Sequence, residues 1–216
     1  MINFSVLLPR KSTGLATIQM LLIVSLGLFQ ATSYAAEEMT AHQVAEQVKN
    51  DLVSVIRSKE ALEKEGGEEK YISSVKGVLE PVVDFNYISR GVMGKQHFGA
   101  ASADQKKRFA TKFKQGLVST YAKGLASFAD YEITVAPPGE GFDPEARRAN
   151  VVLVAKGGDS VNRLAFSMGK NAAGEWKVIN MHLNGVDFGR VLNTQFGMSM
   201  KKNENNIDKV IDEWAV

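Results

Sequence analysis

The sequence has no cysteine and only three histidines among its 216 residues. The lack of cysteine excludes a disulfide framework, a thiol nucleophile and a lipid anchor attached to cysteine. His42, His97 and His182 are far apart, and none has metal-ligand spacing to another, so no metal site is predicted. A phosphate-binding glycine loop and a nucleophile elbow are also missing. The common catalytic motifs therefore give no indication of an enzyme.

The sequence beyond its N-terminal segment has no excess of positive or negative charge. Arg10 and Lys11 precede a short apolar stretch at 20–29, and small residues follow at Ser33 and Ala35. This pattern predicts a cleavable signal peptide over residues 1–35, because the apolar stretch is shorter than the roughly 20 residues of a membrane span. The formal charge of +2 belongs to this leader, which leaves residues 36–216 neutral. No nucleic-acid partner is therefore expected.

Residues 36–216 predict a single domain that begins with helices. Thr40 with Gln43 and Ser102 with Gln105 form capping-box patterns at two helix starts. Gly66-Gly67 is predicted to separate the first helix from the second. The longest predicted helix spans 102–128, and its large apolar side chains recur every four residues, as one helical stripe would require. They are Phe109, Phe113, Leu117, Tyr121 and Leu125.

The period changes from helical to alternating at Asp130, which predicts four strands near 131–135, 149–156, 161–168 and 176–183. Helical spacing returns after residue 185. This order predicts an α+β fold, in which a twisted antiparallel sheet of about four strands packs against N- and C-terminal helices. Alternation assigns one set of apolar side chains to the face that meets the helices. They are Ile133, Val135, Leu164, Phe166, Met168, Ile179, Met181 and Leu183.

The long apolar stripe needs a broad apolar partner, and periodicity leaves two possibilities open. The stripe and the sheet either form a filled core or enclose a cavity. A cavity of this kind also allows an enzyme that isomerises or dehydrates a small hydrophobic substrate with one buried acid. An interaction module with a solid core is the third possibility.

Several segments resemble the MlaC family, whose members are also called toluene-tolerance auxiliary proteins. Residues 83–94 read VDFNYISRGVMG, and the Ala-Asp-Gln of 103–105 follows. The resemblance continues through NGVDFG at 184–189 to the terminal helix, so it covers essentially all of residues 36–216. One departure is Asn193, where members often have an arginine; Arg190 is nearby.

The resemblance implies a non-enzymatic periplasmic carrier of a Gram-negative bacterium, with a fold similar to nuclear transport factor 2. It implies no cofactor, with phospholipid carried as cargo. The implied partners are an inner-membrane ABC transporter bearing MCE-domain subunits and an outer-membrane lipoprotein–porin complex, within an Mla-type system. The chain is expected to be a monomer. Together with helical phase and alternation, the resemblance predicts that the stripe Phe109 to Leu125 faces the sheet residues named above across a cavity for acyl tails.

Overall fold

The computed structural model describes residues 38–143 and 145–215, and the predicted signal peptide lies outside the described residues. Six α-helices and five strands follow one another in the described part of the chain. In order they are α1 (Ala41–Arg57), α2 (Lys59–Leu79), α3 (Phe85–Ala100), α4 (Ala103–Leu125), β1 (Glu132–Val135), β2 (Arg148–Gly157), β3 (Ser160–Lys170), β4 (Trp176–Leu183), β5 (Val186–Asp187), α5 (Phe188–Lys202) and α6 (Ile207–Glu213). None of the described helices is both long enough and apolar enough to cross a membrane.

The strands form one antiparallel sheet in the order β1-β2-β3-β4-β5, so each strand pairs with its neighbour in sequence. Helices precede and follow this sheet, which confirms the predicted α+β class. The sheet has one strand more than the predicted four, because the two residues of β5 pair with the end of β4. The segment before α3 also bonds to β4, with Asp84 N donating to Val178 O at 3.0 Å.

The two capping boxes are present at the predicted helix starts. Thr40 Oγ1 accepts from Gln43 N at 3.2 Å, and Ser102 Oγ accepts from Gln105 N at 3.1 Å. Both glutamine side chains accept in return from the capping residue's N–H. The long helix is shorter than predicted, because α4 ends at Leu125 and residues 126–128 form a 3-10 turn.

The break between the first two helical segments lies at Gly66-Gly67, as predicted, inside the range of α2. The boundary at Ser58 is only a slight kink, because Ser58 N donates to Ser54 O and Leu62 N donates to Ser58 O as in a continuous helix. Gly67 has φ 71° and ψ −173°, a backbone conformation that interrupts a helix and is accessible to glycine. The lysine- and glutamate-rich stretch around the glycines has high helix propensity and forms helix on both sides of this break.

Three clusters of buried apolar side chains hold the described domain together. The first is formed by helices α3 to α6 and includes Phe109, Phe113, Phe196 and Trp214. The second joins the start of α1 to the sheet, and the third joins α2 to the end of α4. The helical cluster and the sheet cluster are thus separate, so the helices do not form a single layer on the strands.

Gly94 is a position where only glycine fits well. Its φ is 70°, and an added Cβ would lie 3.0 Å from Nδ2 of Asn193. That amide donates to the backbone carbonyls of Gly91 and Val92, at 3.2 and 3.0 Å, and so links α5 to α3. Asn193 therefore has a defined structural role at the position where the family often has arginine.

We expect Gly94→Ala to lower the free energy of unfolding by about 1–2 kcal/mol, because the left-handed backbone disfavours a Cβ. Urea denaturation followed by circular dichroism measures the change. Gly99→Ala is the matched control within α3, since an added Cβ there meets nothing within 4 Å. This control should be neutral or slightly stabilising, and equal losses in both variants would contradict the argument.

Candidate functional site

An apolar cavity lies between α1 and the sheet. Its volume is about 90 Å³, and its walls are almost entirely hydrocarbon. The helical side is formed by α1 and by the segment that ends α2, and the sheet side by β2, β3 and β4. The lining residues are Val44, Ala45, Val48, Lys49, Leu52, Leu79, Val82, Val83, Leu153, Phe166, Met168 and Val178.

The strand register determines which side chains share this inner face. Residues directly opposite each other in an antiparallel pair project to the same side of a sheet. One row of such residues crosses four strands, from β1 to β4: Val135, Leu153, Leu164 and Leu183. Phe166 lies opposite Met181 in the same way. Seven of the predicted sheet residues thus project together: Ile133, Val135, Leu164, Phe166, Met168, Met181 and Leu183.

Ile179 was predicted on this face and lies on the other one. The register between β3 and β4 shifts at Ser167 and Met168, so that Met168 pairs with Val178 and Ile179 is the extra residue of a bulge. Val178 and Trp176 join the inner face as a result, and both pack in the cluster between α1 and the sheet. Sequence alternation cannot reveal such a shift, because a bulge changes the phase without changing the composition.

The inner face extends beyond the small cavity. Leu164, Met181 and Leu183 are half-buried, and none of them packs into the three clusters formed by the described residues. Large apolar side chains that face inward usually touch many neighbours in a filled core. The incomplete packing of these three indicates that the helices leave apolar sheet surface uncovered.

The N-terminal half of the α4 stripe does not meet the sheet. Phe109 and Phe113 are fully buried among helices, and the Phe109 ring lies 5.0 Å from that of Phe196 and 5.3 Å from that of Trp214. Leu117 packs against the same helical cluster. Both phenylalanines were predicted to line the cavity, and the structure places them in a filled core instead.

The C-terminal half of the stripe lies elsewhere. Leu125 packs against the cluster of Tyr71, and the ring of Tyr121 contacts that of Phe188 at 5.9 Å. Burial raises the pKa of the Tyr121 hydroxyl above its usual value. The stripe changes partners because a spacing of four residues exceeds the 3.6 residues of a turn and rotates by about 40° at each step. From Phe109 to Leu125 the rotation reaches about 160°, nearly the opposite side of the helix.

The residues of α1 that form the helical wall were visible in the sequence. Val44, Val48 and Leu52 have helical spacing, but the longer and more aromatic stripe of α4 was assigned to the sheet instead. Ala41 and Ala45 explain why α1, and not α4, packs on the sheet, since both are buried against strand residues. Their small side chains allow the helix backbone to approach the sheet closely.

An open groove of about 600 Å³ adjoins the cavity and shares Val44, Val48 and Val82 with it. Its rim is charged: Lys177 Nζ lies 3.0 Å from a carboxylate oxygen of Glu175 and donates to Pro81 O at 2.6 Å. A wider groove with a charged rim thus lies beside the apolar cavity at the end of α2.

Asp187 determines where α5 begins and thereby places Phe188 beside Tyr121. Its carboxylate accepts from Arg190 N at 3.1 Å and from Asn180 Nδ2 at 3.0 Å. His182 Nε2 lies 3.6 Å from the other carboxylate oxygen. The hydrogen bond from Asn180, with smaller contributions from Arg190 N and His182, lowers the pKa of Asp187.

We expect Asp187→Ala to cost about 1 kcal/mol of unfolding free energy at pH 7, the usual value of a lost helix cap. Because the folded pKa is lowered, the carboxylate stabilises the fold above its unfolded pKa of about 3.9, and this contribution is lost as pH falls through the folded pKa. The difference between wild type and variant should therefore shrink below about pH 4. Urea midpoints between pH 3 and 7 measure it, with Asp159→Ala in the β2–β3 turn as control. A difference that grows towards acid pH would contradict this assignment.

The geometry defines a class of protein: an α+β domain with an antiparallel sheet whose apolar inner face is only partly covered by helices. Residues 38–143 and 145–215 contain no group of three or more histidine, aspartate or glutamate side chains that could hold a metal. A sequence model described as MlaC protein matches residues 46–216. The chain belongs to the MlaC family, as the resemblance predicted.

Two curated relatives agree with this assignment. Toluene tolerance protein ttg2D of Pseudomonas putida is 30% identical over 195 residues, which is 90% of this chain and 87% of that protein. The intermembrane phospholipid transport system binding protein MlaC of Haemophilus influenzae is 26% identical over 160 residues, 73% of each chain. The fold is similar to a phospholipid-binding protein from Ralstonia solanacearum solved with a phospholipid. That comparison has a TM-score of 0.71 at 20% identity and covers 81% of this chain and 94% of the other.

Proposed function

We propose that this chain is a periplasmic phospholipid carrier that holds acyl chains against the inner face of its sheet. The observation that carries the proposal is the apolar inner face, which the helices cover only in part. Membership of the family supports it, since the Haemophilus relative is named as a phospholipid transport binding protein and the Ralstonia protein was solved with a phospholipid. The proposed role is binding and transfer, without catalysis or a cofactor.

The proposed tail site consists of the predicted residues that lie on or beside the inner face. They are Ile133, Val135, Leu164, Phe166, Met168, Met181 and Leu183 of the sheet. Tyr121, whose ring contacts Phe188 at the start of α5, is proposed to border the site. Val44, Val48 and Leu52 of α1 form the opposite wall. Each buried methylene contributes about 0.8 kcal/mol, so a sixteen-carbon tail contributes on the order of 12 kcal/mol before ordering costs.

The site must widen to hold a tail. The cavity of about 90 Å³ is smaller than the roughly 300–1,000 Å³ of typical small-ligand pockets. α1 is the element whose displacement would enlarge it, because this helix separates the cavity from solvent on the helical side. The glycine break in α2 and the slight kink at Ser58 are the positions proposed to bend when α1 moves.

The proposed location and partners extend the same role. A cleaved leader over residues 1–35 would deliver the protein to the periplasm, where an insoluble lipid needs shielding from water. The proposed exchange partners are an inner-membrane ABC transporter with MCE-domain subunits and an outer-membrane lipoprotein–porin complex. Expression with the native leader, followed by cell fractionation and N-terminal sequencing, tests export and cleavage after Ala35.

Lipid mass spectrometry of the purified protein is the decisive test of cargo. We expect co-purified phospholipid in amounts comparable to the protein. The amount is measured as organic phosphate per chain, and the phosphate found in delipidated protein is subtracted as background. Repeated native preparations without stoichiometric phospholipid, and without uptake from phospholipid vesicles, would reject the carrier function. A small-molecule substrate turned over at the cavity would favour the enzyme alternative instead.

A further inference from the structure

A second groove lies on the outer face of the sheet, away from the proposed tail site. It is bounded by α3, α5 and the strands β2 to β4 and has a volume of about 480 Å³. We call it the arginine groove and define it by Tyr87, Ile88, Arg148, Ile179, Arg190 and Asn193. Arg148 and Ile179 belong to its sheet side, and Arg190 projects from the first turn of α5.

The charge of the groove is unbalanced, although residues 36–216 as a whole are neutral. Its lining contains two arginines, and the carboxylate of Asp187, which caps α5, lies beside the lining residues Asn180 and Arg190. Neither arginine forms an ion pair within the described part of the chain, whereas Arg108 on α4 is paired with Asp208 and Asp212. Both guanidinium groups are exposed and, within that part of the chain, unpaired, so they are available to an anionic partner.

The groove also has apolar surface of an unusual origin. The β-bulge turns Ile179 onto the outer face, where its strand neighbour Asn180 and the opposite Ser167 are polar. Ile88 adds a second aliphatic side chain, and Tyr87 is 47% exposed at the rim. Tyrosine, arginine and a desolvated aliphatic anchor are the residue types that dominate protein–protein binding energy.

We propose that the arginine groove binds an acidic peptide segment of a partner protein, with an apolar side chain of that segment seated on Ile179 and Ile88. Carboxylates of the segment pair with Arg148 and Arg190, for which the guanidinium fork is well suited. A chain segment that lies between α3 and α5 can reach both arginines and both isoleucines at once. This surface is separate from the inner face, so the proposal does not depend on lipid cargo.

Selection of a random dodecapeptide phage library on the purified protein tests the proposal and requires no candidate partner. We expect selected sequences that combine aspartate or glutamate with one large apolar residue. A synthetic selected peptide should bind in fluorescence anisotropy, and its affinity should fall with added salt. Replacing its acidic residues with lysine should abolish binding.

Variants of the protein place the binding on the groove. Arg148→Glu and Arg190→Glu should each lower the affinity for the selected peptide by at least about tenfold, as expected when a charged hydrogen bond is lost. Arg148→Gln and Arg190→Gln should also lower this affinity, but by a smaller factor. Arg163→Glu is the matched control, since Arg163 is exposed on the same outer face but lies outside the groove. It should leave affinity within about twofold, because distant exposed charges are screened.

Any of the following outcomes would overturn the proposal. They are selected peptides without acidic bias, full binding by both Arg148→Glu and Arg190→Glu, an equal loss in Arg163→Glu, and arginine-dependent binding to phosphatidylglycerol vesicles in place of peptide. Self-association that disappears in Arg148→Glu would likewise assign the groove to a second copy of the chain. Circular dichroism and thermal melting of every variant show that the fold is retained.

Discussion

Met181→Asp is expected to release bound phospholipid while leaving the domain folded. Met181 lies opposite Phe166 on the inner face and packs into none of the described core clusters, so its replacement removes little core packing. An aspartate there would place an unpaired carboxylate beside the acyl chain, at a cost of several kcal/mol. Since 1.4 kcal/mol is a factor of ten, lipid affinity should fall by at least about tenfold. Phosphate per protein and lipid mass spectrometry measure the loss.

Ala165→Asp is the matched control for this prediction. Ala165 precedes Phe166 in β3 and therefore projects to the outer face, opposite His182. The Ala165→Asp substitution introduces the same charge one position from Phe166, the residue opposite Met181, but on the face away from the proposed tail site. Its lipid content should match wild type. If both variants lose lipid equally, or neither does, the inner face is not the binding surface.

The fold was largely predictable because its signals are local. Capping boxes at Thr40 and Ser102 require only neighbouring residues, and the change from helical to alternating spacing near residue 130 is visible in a short window. β5 was missed because a strand of two residues has no alternation to detect. The break at Gly66 and Gly67 was predictable in the same way, because two adjacent glycines interrupt a helix locally.

The site was less predictable because it depends on contacts distant in sequence. Both α1 and α4 have an apolar side, and hydrophobic spacing alone does not determine which of them meets the sheet. Small residues were the relevant signal: Ala41 and Ala45 let α1 approach the strands, whereas the bulky rings of α4 fill the space among helices. The reversal of Ile179 depends on how β3 aligns with β4, and that alignment is a property of the pair of strands.

Phe109→Ala separates a core role from a lipid-binding role for the long helix. Phe109 is fully buried and touches the rings of Phe113, Phe196 and Trp214. Truncating a buried phenylalanine leaves a cavity and costs about 3–5 kcal/mol. We therefore expect a large loss of unfolding free energy in urea denaturation, with phospholipid content unchanged in the fraction that remains folded. Phe109→Leu retains most of the volume and should show the same pattern with a smaller loss.

Tyr121→Ala supplies the contrast on the same helix. Tyr121 is only part-buried and contacts a single aromatic neighbour, Phe188, so its removal should cost the fold less than the loss of Phe109. It lies where the stripe has rotated away from the helical cluster, and its loss should reduce lipid retention. The opposite result, with lipid lost in Phe109→Leu and retained in Tyr121→Ala, would move the tail site into the helical cluster. The expected result would make α4 the centre of the helical core at its N-terminal half and a border of the lipid site only near its C-terminal end.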